Sequence, residues 1–322
     1  VYNDGMSLMN RRNFLGLAGG VAGAAVVGPG ALAAGAAVGA VGASKGEDFE
    51  YIFFTDTHLE PELNGVKGCS MAFKKMRGLH ADFAIQGGDH VIDTLAIPKA
   101  KSLELFHLYD DTQQQLGLKV YHAVGNHDCL GLYEKSGVAT SDPLYGKGFF
   151  REHIGPTYYS FDHKGVHFVV MDTVGLTPDR QYEGRVDAAQ LAWLEKDLAA
   201  LPAGAPIVVT VHIPLVSAIN SYETESTTVH KYNGMTVANS HDVIAHFKGR
   251  NVLGVFQGHT HVNEYVEYMG VPYRTSGAVC GNWWHGTRLG TPEGYTVVSV
   301  KGGKLSTRYE TYGFVTVEPE NT

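Results

Sequence analysis

The sequence predicts a layered α/β domain with mixed β-sheets. Three observations carry that prediction: short apolar runs that each stop at a polar cluster, helical patterns lying between them, and hairpin patterns later in the chain. The runs are YIFFTD (51–56), DFAIQGGD (82–89), KVYHAVGNHD (119–128), APIVVTVH (205–212) and NVLGVFQGHTH (251–261). Each is a β-branched or aromatic stretch of strand length.

The elements follow in chain order. Residues 1–45 differ in composition from everything after them. NRRNFLGLAGGVAGAAVVGPGALAAGAAVGAVGAS places Arg11-Arg12 before Phe14 and Leu15, continues as a weakly apolar Gly/Ala run, and offers small-residue cleavage points such as Ala31-Leu32-Ala33. This architecture resembles a twin-arginine export signal, which implies a periplasmic or extracellular protein that folds before export. A transmembrane anchor is the competing reading, but the glycines and Pro29 make a poor spanning helix, so no stable membrane span is expected once the signal is removed. Met6 and Met9 are the expected starts, which would leave residues 1–5 outside the reading frame. The domain proper is expected over 46–322.

In DAAQLAWLEKDLAAL the apolar Leu191, Leu194, Leu198 and Leu201 share one helical face, and Asp187 with Gln190 reads as an N-terminal capping box. TYYSFDHKGVHFVVMD (157–172) reads as a hairpin turning at His163-Lys164-Gly165, and the tail as another around Gly302-Gly303. No repeat at solenoid spacing is present.

Composition narrows the function classes. A net charge of −8 without a Lys/Arg cluster argues against a nucleic-acid duplex as partner. Cys69, Cys129 and Cys280 form no CxxC pair, so neither a zinc ribbon nor a disulfide framework is indicated, and buried thiols are the simpler reading. Sixteen histidines raise the expectation of a metal site without placing it.

Placement comes from the strand ends. In open α/β sheets, ligands bind outside the carboxyl ends of the strands. Here those ends carry Asp56 and His58 (TDTH), Asp89 (GGDH), Asn126, His127 and Asp128 (GNHD), His212 (VHIP), and His259 and His261 (GHTH). Taken singly, each has a bland reading: a turn, a helix cap or a hydrogen-bonded core histidine. Together they offer carboxylates, an amide oxygen and several imidazoles, a set suited to two divalent metals of borderline softness rather than to calcium.

The ordered series D-x-H, G-D, G-N-H-D, H and G-H-x-H, spanning 56–261, resembles the calcineurin-like metallophosphoesterase superfamily. The resemblance implies a sandwich of two mixed β-sheets flanked by helices, and a dinuclear phosphoester hydrolase using metal-activated hydroxide. It further implies one metal (Mn, Fe or Zn) at Asp56, His58, Asp89 and His261. A second would sit at Asp89, Asn126, His212 and His259, with Asp89 bridging. His127 would be the acid for the leaving oxygen and Asp128 would orient it. His90 and Asp93, close to Asp89, are candidates for supporting contacts. His80, His107, His122, His153, His163, His167, His241 and His246 match no element of the series.

Purple acid phosphatases within that superfamily carry a tyrosine where this chain has Ile92, and lack the histidine that His58 supplies. An iron–tyrosinate centre is therefore not expected. The D-x-H form is similar to the cyclic-nucleotide and glycerophosphodiester phosphodiesterase branch, although phosphomonoesterases share it. The expected partner is a small-molecule phosphoester. A diester is favoured because no arginine cluster offers a clamp for a monoester dianion. A phosphomonoesterase, or a non-catalytic metal-binding or sensing protein on the same scaffold, remains as the alternative. The loops 132–157 and 213–240 leave strand ends at the metals and are expected to wall the pocket. Trp283 and Trp284, in SGAVCGNWWHG, are open to two readings: a stacking wall for an organic group, or plain core.

Overall fold

A computed structural model describes residues 47–219, 222 and 232–320; the predicted export signal lies outside these residues. Among them no helix is long and apolar enough to cross a membrane.

Two sheets form the body. In the first, β1 (Phe49–Phe54), β2 (Ala84–Gln86) and β3 (Val120–His122) run parallel, and β12 (Gly294–Lys301) and β13 (Lys304–Thr311) extend the sheet antiparallel in the order β13-β12-β1-β2-β3. The second contains β10 (Glu264–Tyr268), β11 (Val271–Thr275), β9 (Asn251–Gln257), β8 (Pro206–Thr210), β5 (Val166–Val170) and β4 (Tyr159–His163), in that order. Its central strands β11, β9, β8 and β5 are parallel. A separate ribbon pairs β6 (Val174–Leu176) with β7 (Tyr182–Gly184). Both predicted hairpins are present: β4 pairs with β5 across His163↔Val166, and β12 with β13 across Lys301↔Lys304.

The alternation of β1 shows how the layers pack. Tyr51, Ile52, Phe53 and Phe54 are all fully buried, as befits a strand covered on both faces. Tyr51 and Phe53 enter the core between the sheets with Phe83, Phe168, Val208 and Phe256, where Tyr51 stacks on Phe83 at 5.2 Å. Ile52 and Phe54 face the other way, onto α1 (Gly65–Arg77) and α2 (Lys99–Gln113) through Phe73, Met76, Phe106 and Tyr109, with Phe149 of α3 (Gly148–His153) against Phe106. On the outer face of the second sheet, Val209 and Val211 meet Leu194 and Leu198 of α4 (Ala188–Ala199) and Val243 of α5 (Ser240–Ala245). The result is the expected sandwich of mixed sheets flanked by helices. At the start of α4 the Asp187 carboxylate caps Gln190 N at 2.8 Å. The capping box is not closed, because the Gln190 side chain instead spans the backbone of Asp172.

Candidate metal centre

The parallel strands aim their carboxyl ends at one edge, and there the backbone bends sharply. Five of the seven predicted ligand positions have positive φ: Asp56 (52°), His58 (36°), Asp89 (57°), His259 (73°) and His261 (62°). Each such residue costs roughly 1–3 kcal/mol and persists only where its surroundings impose it. Glycines let the segments approach. A Cβ on Gly125 would overlap the Asp89 carboxylate and amide, and one on Gly258 would overlap Thr55 and Asp56. That accounts for the glycines before Asn126 and before His259.

Two overlapping groups of side chains result. Asp56 Oδ1 lies 3.3 Å from His261 Nε2 and 3.8 Å from His58 Nε2, while His58 Nε2 is 3.4 Å from Asp89 Oδ2 and 3.2 Å from His261 Nε2. On its other side Asp89 Oδ2 is 3.2 Å from His212 Nε2, which is 3.0 Å from Asn126 Oδ1. His259 completes this second group, its donor atom within 4.8 Å of those of Asp89 and His212. Asp89 belongs to both groups. All seven predicted positions therefore converge, although Asp56 and His261 stand about two hundred residues apart.

Hydrogen bonds behind the rings set the tautomers. His212 Nδ1–H donates to Gly87 O at 2.9 Å and His261 Nδ1–H to Gly281 O at 2.7 Å, which turns each Nε2 toward the centre. Thr55 Oγ1 donates to Asp56 Oδ2 at 2.6 Å, and His259 N–H donates to the same carboxylate.

The electrostatics match this packing. Burial by itself would raise the Asp56 and Asp89 carboxyls, but His261 beside Asp56, and His212 with His127 beside Asp89, hold both below the ordinary carboxylate range. Burial works against a charged His212, yet Asp89 outweighs it and carries the imidazole up to about 9. His261 moves up likewise, with Asp56 overcoming burial. Burial depresses His58, and burial together with His212 brings His259 down to about 4.

These residues fit divalent cations. His259 Nε2 is buried with no hydrogen-bond partner among the described residues, an arrangement rarely left unrelieved. Nitrogen lone pairs and carboxylate oxygens crowd within 3–4 Å of each other, which a cation between them would turn from repulsion into coordination. The mixed nitrogen and oxygen set suits Mn, Fe or Zn. Cys280 also reaches this region, its Sγ close to ring nitrogens of His58 and His261, but burial holds the thiol well above its ordinary pKa and hence protonated. All three cysteines are free and buried.

The partner of Asp128 corrects one expectation. Asp128 does not touch the His127 ring. Its oxygens accept from Gly125 N (2.8 Å), Asp89 N (3.1 Å), His90 N (2.9 Å) and His90 Nδ1 (2.9 Å), so it clamps the backbone of two metal-edge loops. The group beside His127 is Asp93, with Oδ1 3.8 Å from Nδ1. The resemblance implied Asp128 as the group that orients His127, whereas in the fold its carboxylate is taken up by His90 and by the backbone of Asp89 and Gly125.

A cavity of about 200 Å³ opens over the centre, lined by Asp89, Asn126, His127, His259 and His261 together with Tyr182, Met235, Thr260, Trp283 and Arg288. Met235 comes from the predicted wall 213–240. The loop 132–157 contributes nothing to this lining among the described residues, and lines a neighbouring cavity through Tyr145, Lys147 and Arg151. Tyr182 and Arg288 were missed by sequence reading. Neither belongs to a strand-end motif, and each arrives on a tight ribbon or turn. The tryptophan pair divides between its two readings: Trp284 is fully buried and donates Nε1–H to His58 O at 2.9 Å, while Trp283 faces the cavity.

A sequence profile described as calcineurin-like phosphoesterase matches residues 49–263. No curated protein matches the chain in sequence. Among solved structures, a dimetal phosphatase from Danio rerio superposes with a TM-score of 0.55 at 14% identity, covering 80% of this chain and 98% of that one. GAP50, the anchor in the inner membrane complex of Plasmodium, gives 0.54 at 12% identity over 85% and 89%. The purple acid phosphatase PPD1 from yellow lupin seeds gives 0.52 at 13% identity over 83% of this chain and 52% of its own. At such identities these likenesses establish the fold.

Proposed function

The chain belongs to the calcineurin-like phosphoesterase family and is a metal-dependent phosphoester hydrolase, and from that premise we propose that it favours small phosphodiesters. The carrying observation is the cavity lining: among the described residues it holds one arginine, Arg288, and no lysine. A diester monoanion suits a single side-chain cation better than a monoester dianion does. The competing monoesterase reading rests on Arg288 itself. A cavity of about 200 Å³ has room for a phosphoryl group and little more than one ring, which supports a small-molecule ester as the substrate.

In this reading Asp56, His58, Asp89 and His261 hold one cation and Asp89, Asn126, His212 and His259 the other. When bound, the two cations would polarise the phosphoryl oxygens and make water acidic enough to act as a nucleophile near neutral pH. The remaining work belongs to the chain. His127 donates its backbone N–H to Asp89 Oδ1 at 2.8 Å, which ties the acid to the shared carboxylate. Its imidazole lines the cavity and supplies a proton to the departing oxygen. Asp93 Oδ1 lies 3.8 Å from Nδ1, beside the ring. Asn126 offers an oxygen without charge, which keeps the site attractive to anions. We assign residues 1–45 to twin-arginine export on the strength of Arg11-Arg12 and the apolar run that follows.

The test is a substrate comparison on Mn-loaded protein with measured metal content. Bis(p-nitrophenyl) phosphate should turn over faster than p-nitrophenyl phosphate. The reverse ranking would move the assignment to monoesters, and no turnover with both metals bound would favour a binding or sensing role.

A further inference from the structure

One wall of the cavity is aromatic, and its position relative to the acid is informative. The Trp283 indole lies 3.9 Å from the His58 ring, 5.1 Å from His127 and 5.3 Å from His261, measured between centroids. It therefore spans from the Asp56 side of the centre to the acid. Tyr182 stands on the other side of Asp89, with its ring 6.4 Å from that of His259. Trp283 is half-buried and lines the cavity, whereas its neighbour Trp284 is sunk against Gly68 and Phe314.

The backbone holds this arrangement against its own preference. Trp283 (φ 51°) and Trp284 (φ 69°) are both left-handed, directly after Gly281 (φ 59°) and Asn282. Hydrogen bonds from Asn282 N to Gly286 O and from Trp284 N to Cys280 O close the turn. Two bulky residues in this region are costly, and such outliers persist where the surrounding structure over-determines them. Here the burial of Trp284 is the determinant, and its consequence is to stand Trp283 over the centre. A tryptophan needed only to fill space would not have to leave one face beside an open cavity.

We propose that Trp283 is a specificity-determining residue, forming a stacking wall for a planar aromatic group on the departing oxygen of the phosphoester. The inference rests on the phosphoesterase reading and on His127 as the acid, because proximity to His127 places the wall on the leaving-group side. The substrate class is thus a phosphoester whose leaving group is an aryl or comparable flat ring. Aromatic pairs contribute about 0.5–1.5 kcal/mol beyond area burial, and base–aromatic stacking about 1–3 kcal/mol, so the preference should be several-fold.

The test measures binding as well as turnover. Mn-loaded wild-type protein, Trp283→Ala and Trp283→Phe are titrated calorimetrically with phenyl methylphosphonate and cyclohexyl methylphosphonate, which share a charge and differ in the flatness of the ring. Wild type should bind the phenyl compound about fivefold more tightly. Trp283→Ala should bring that ratio near one, and Trp283→Phe should restore most of it. The ratio of kcat/KM for phenyl methyl phosphate over hexafluoroisopropyl methyl phosphate, whose leaving groups have comparable acidity, should fall in parallel and chiefly through KM. Equal binding of the two phosphonates by wild type, or a ratio unmoved by Trp283→Ala, would overturn the proposal. A ring preference in binding without hydrolysis of any ester would retain the wall and sink the hydrolase reading instead.

Discussion

Asp128 Oδ2 accepts a hydrogen bond from His90 Nδ1 at 2.9 Å, and His90 Nε2 lies 2.9 Å from His122 Nδ1 in turn. A chain of buried polar groups thus runs away from the centre, anchored by a carboxylate that also receives three backbone N–H groups. Asp128→Ala would strand those donors, each costing about 1–3 kcal/mol when buried and unsatisfied. We expect a loss of about 3 kcal/mol or more in denaturant unfolding, accompanied by metal loss as Asp89 and Gly125 drift. An unchanged midpoint with intact metal content would show that Asp128 acts on catalysis alone.

His127→Ala should behave in the opposite way. The ring donates to none of the described residues and lies outside both ligand groups, so metal content and stability should persist. Turnover should drop by about 10²–10⁴, the range for a general acid. Asp93→Asn should give a smaller loss with the metals retained. Elemental analysis beside steady-state kinetics decides the matter, and a metal-depleted His127→Ala protein would contradict the role.

Asn126→Ala removes the neutral side-chain oxygen that lies 3.0 Å from His212 Nε2. One of the two metal equivalents should weaken by at least about tenfold, the lower end of what even indirect partners contribute, while the other is spared. Competition with a chelator, followed by metal counting, would show two classes of site; simultaneous loss of both equivalents would argue against separable sites.

His122 predicts the acid limb of stability. Burial, with His90 beside it, brings its imidazole from an ordinary 6.5 down to about 3. Between those values the unfolded chain binds a proton that the folded chain refuses, so stability rises with pH across this window and is lost as pH falls from about 6.5 toward about 3. His122→Asn, which cannot titrate, should flatten part of that slope in thermal melts between pH 4 and 7. An identical slope would place the acid sensitivity elsewhere.

Local chemistry made much of this legible in the sequence. The apolar run of β1, the His163–Gly165 and Gly302-Gly303 turns, and the leucine face of α4 each depend on neighbours within a few residues, so local pattern and turn residues reveal them. The seven candidate ligands were legible for a related reason. Parallel strands share a direction, and polar residues at their carboxyl ends must meet at one edge.

The contacts of those side chains were not legible. The resemblance implied Asp128 as the partner of His127, yet Asp128 turns inward to His90 while His127 stands at the cavity. Tyr182, Met235 and Arg288 reach the lining from three separate segments, with no spacing to connect them. Trp283 and Trp284 are consecutive and identical, and only packing makes one the floor beneath His58 and the other a wall above it. By itself the sequence determined which residues reach the sheet edge, because strand direction is set locally. Tertiary structure decided what each one touches, because side-chain partners depend on how distant segments close around them.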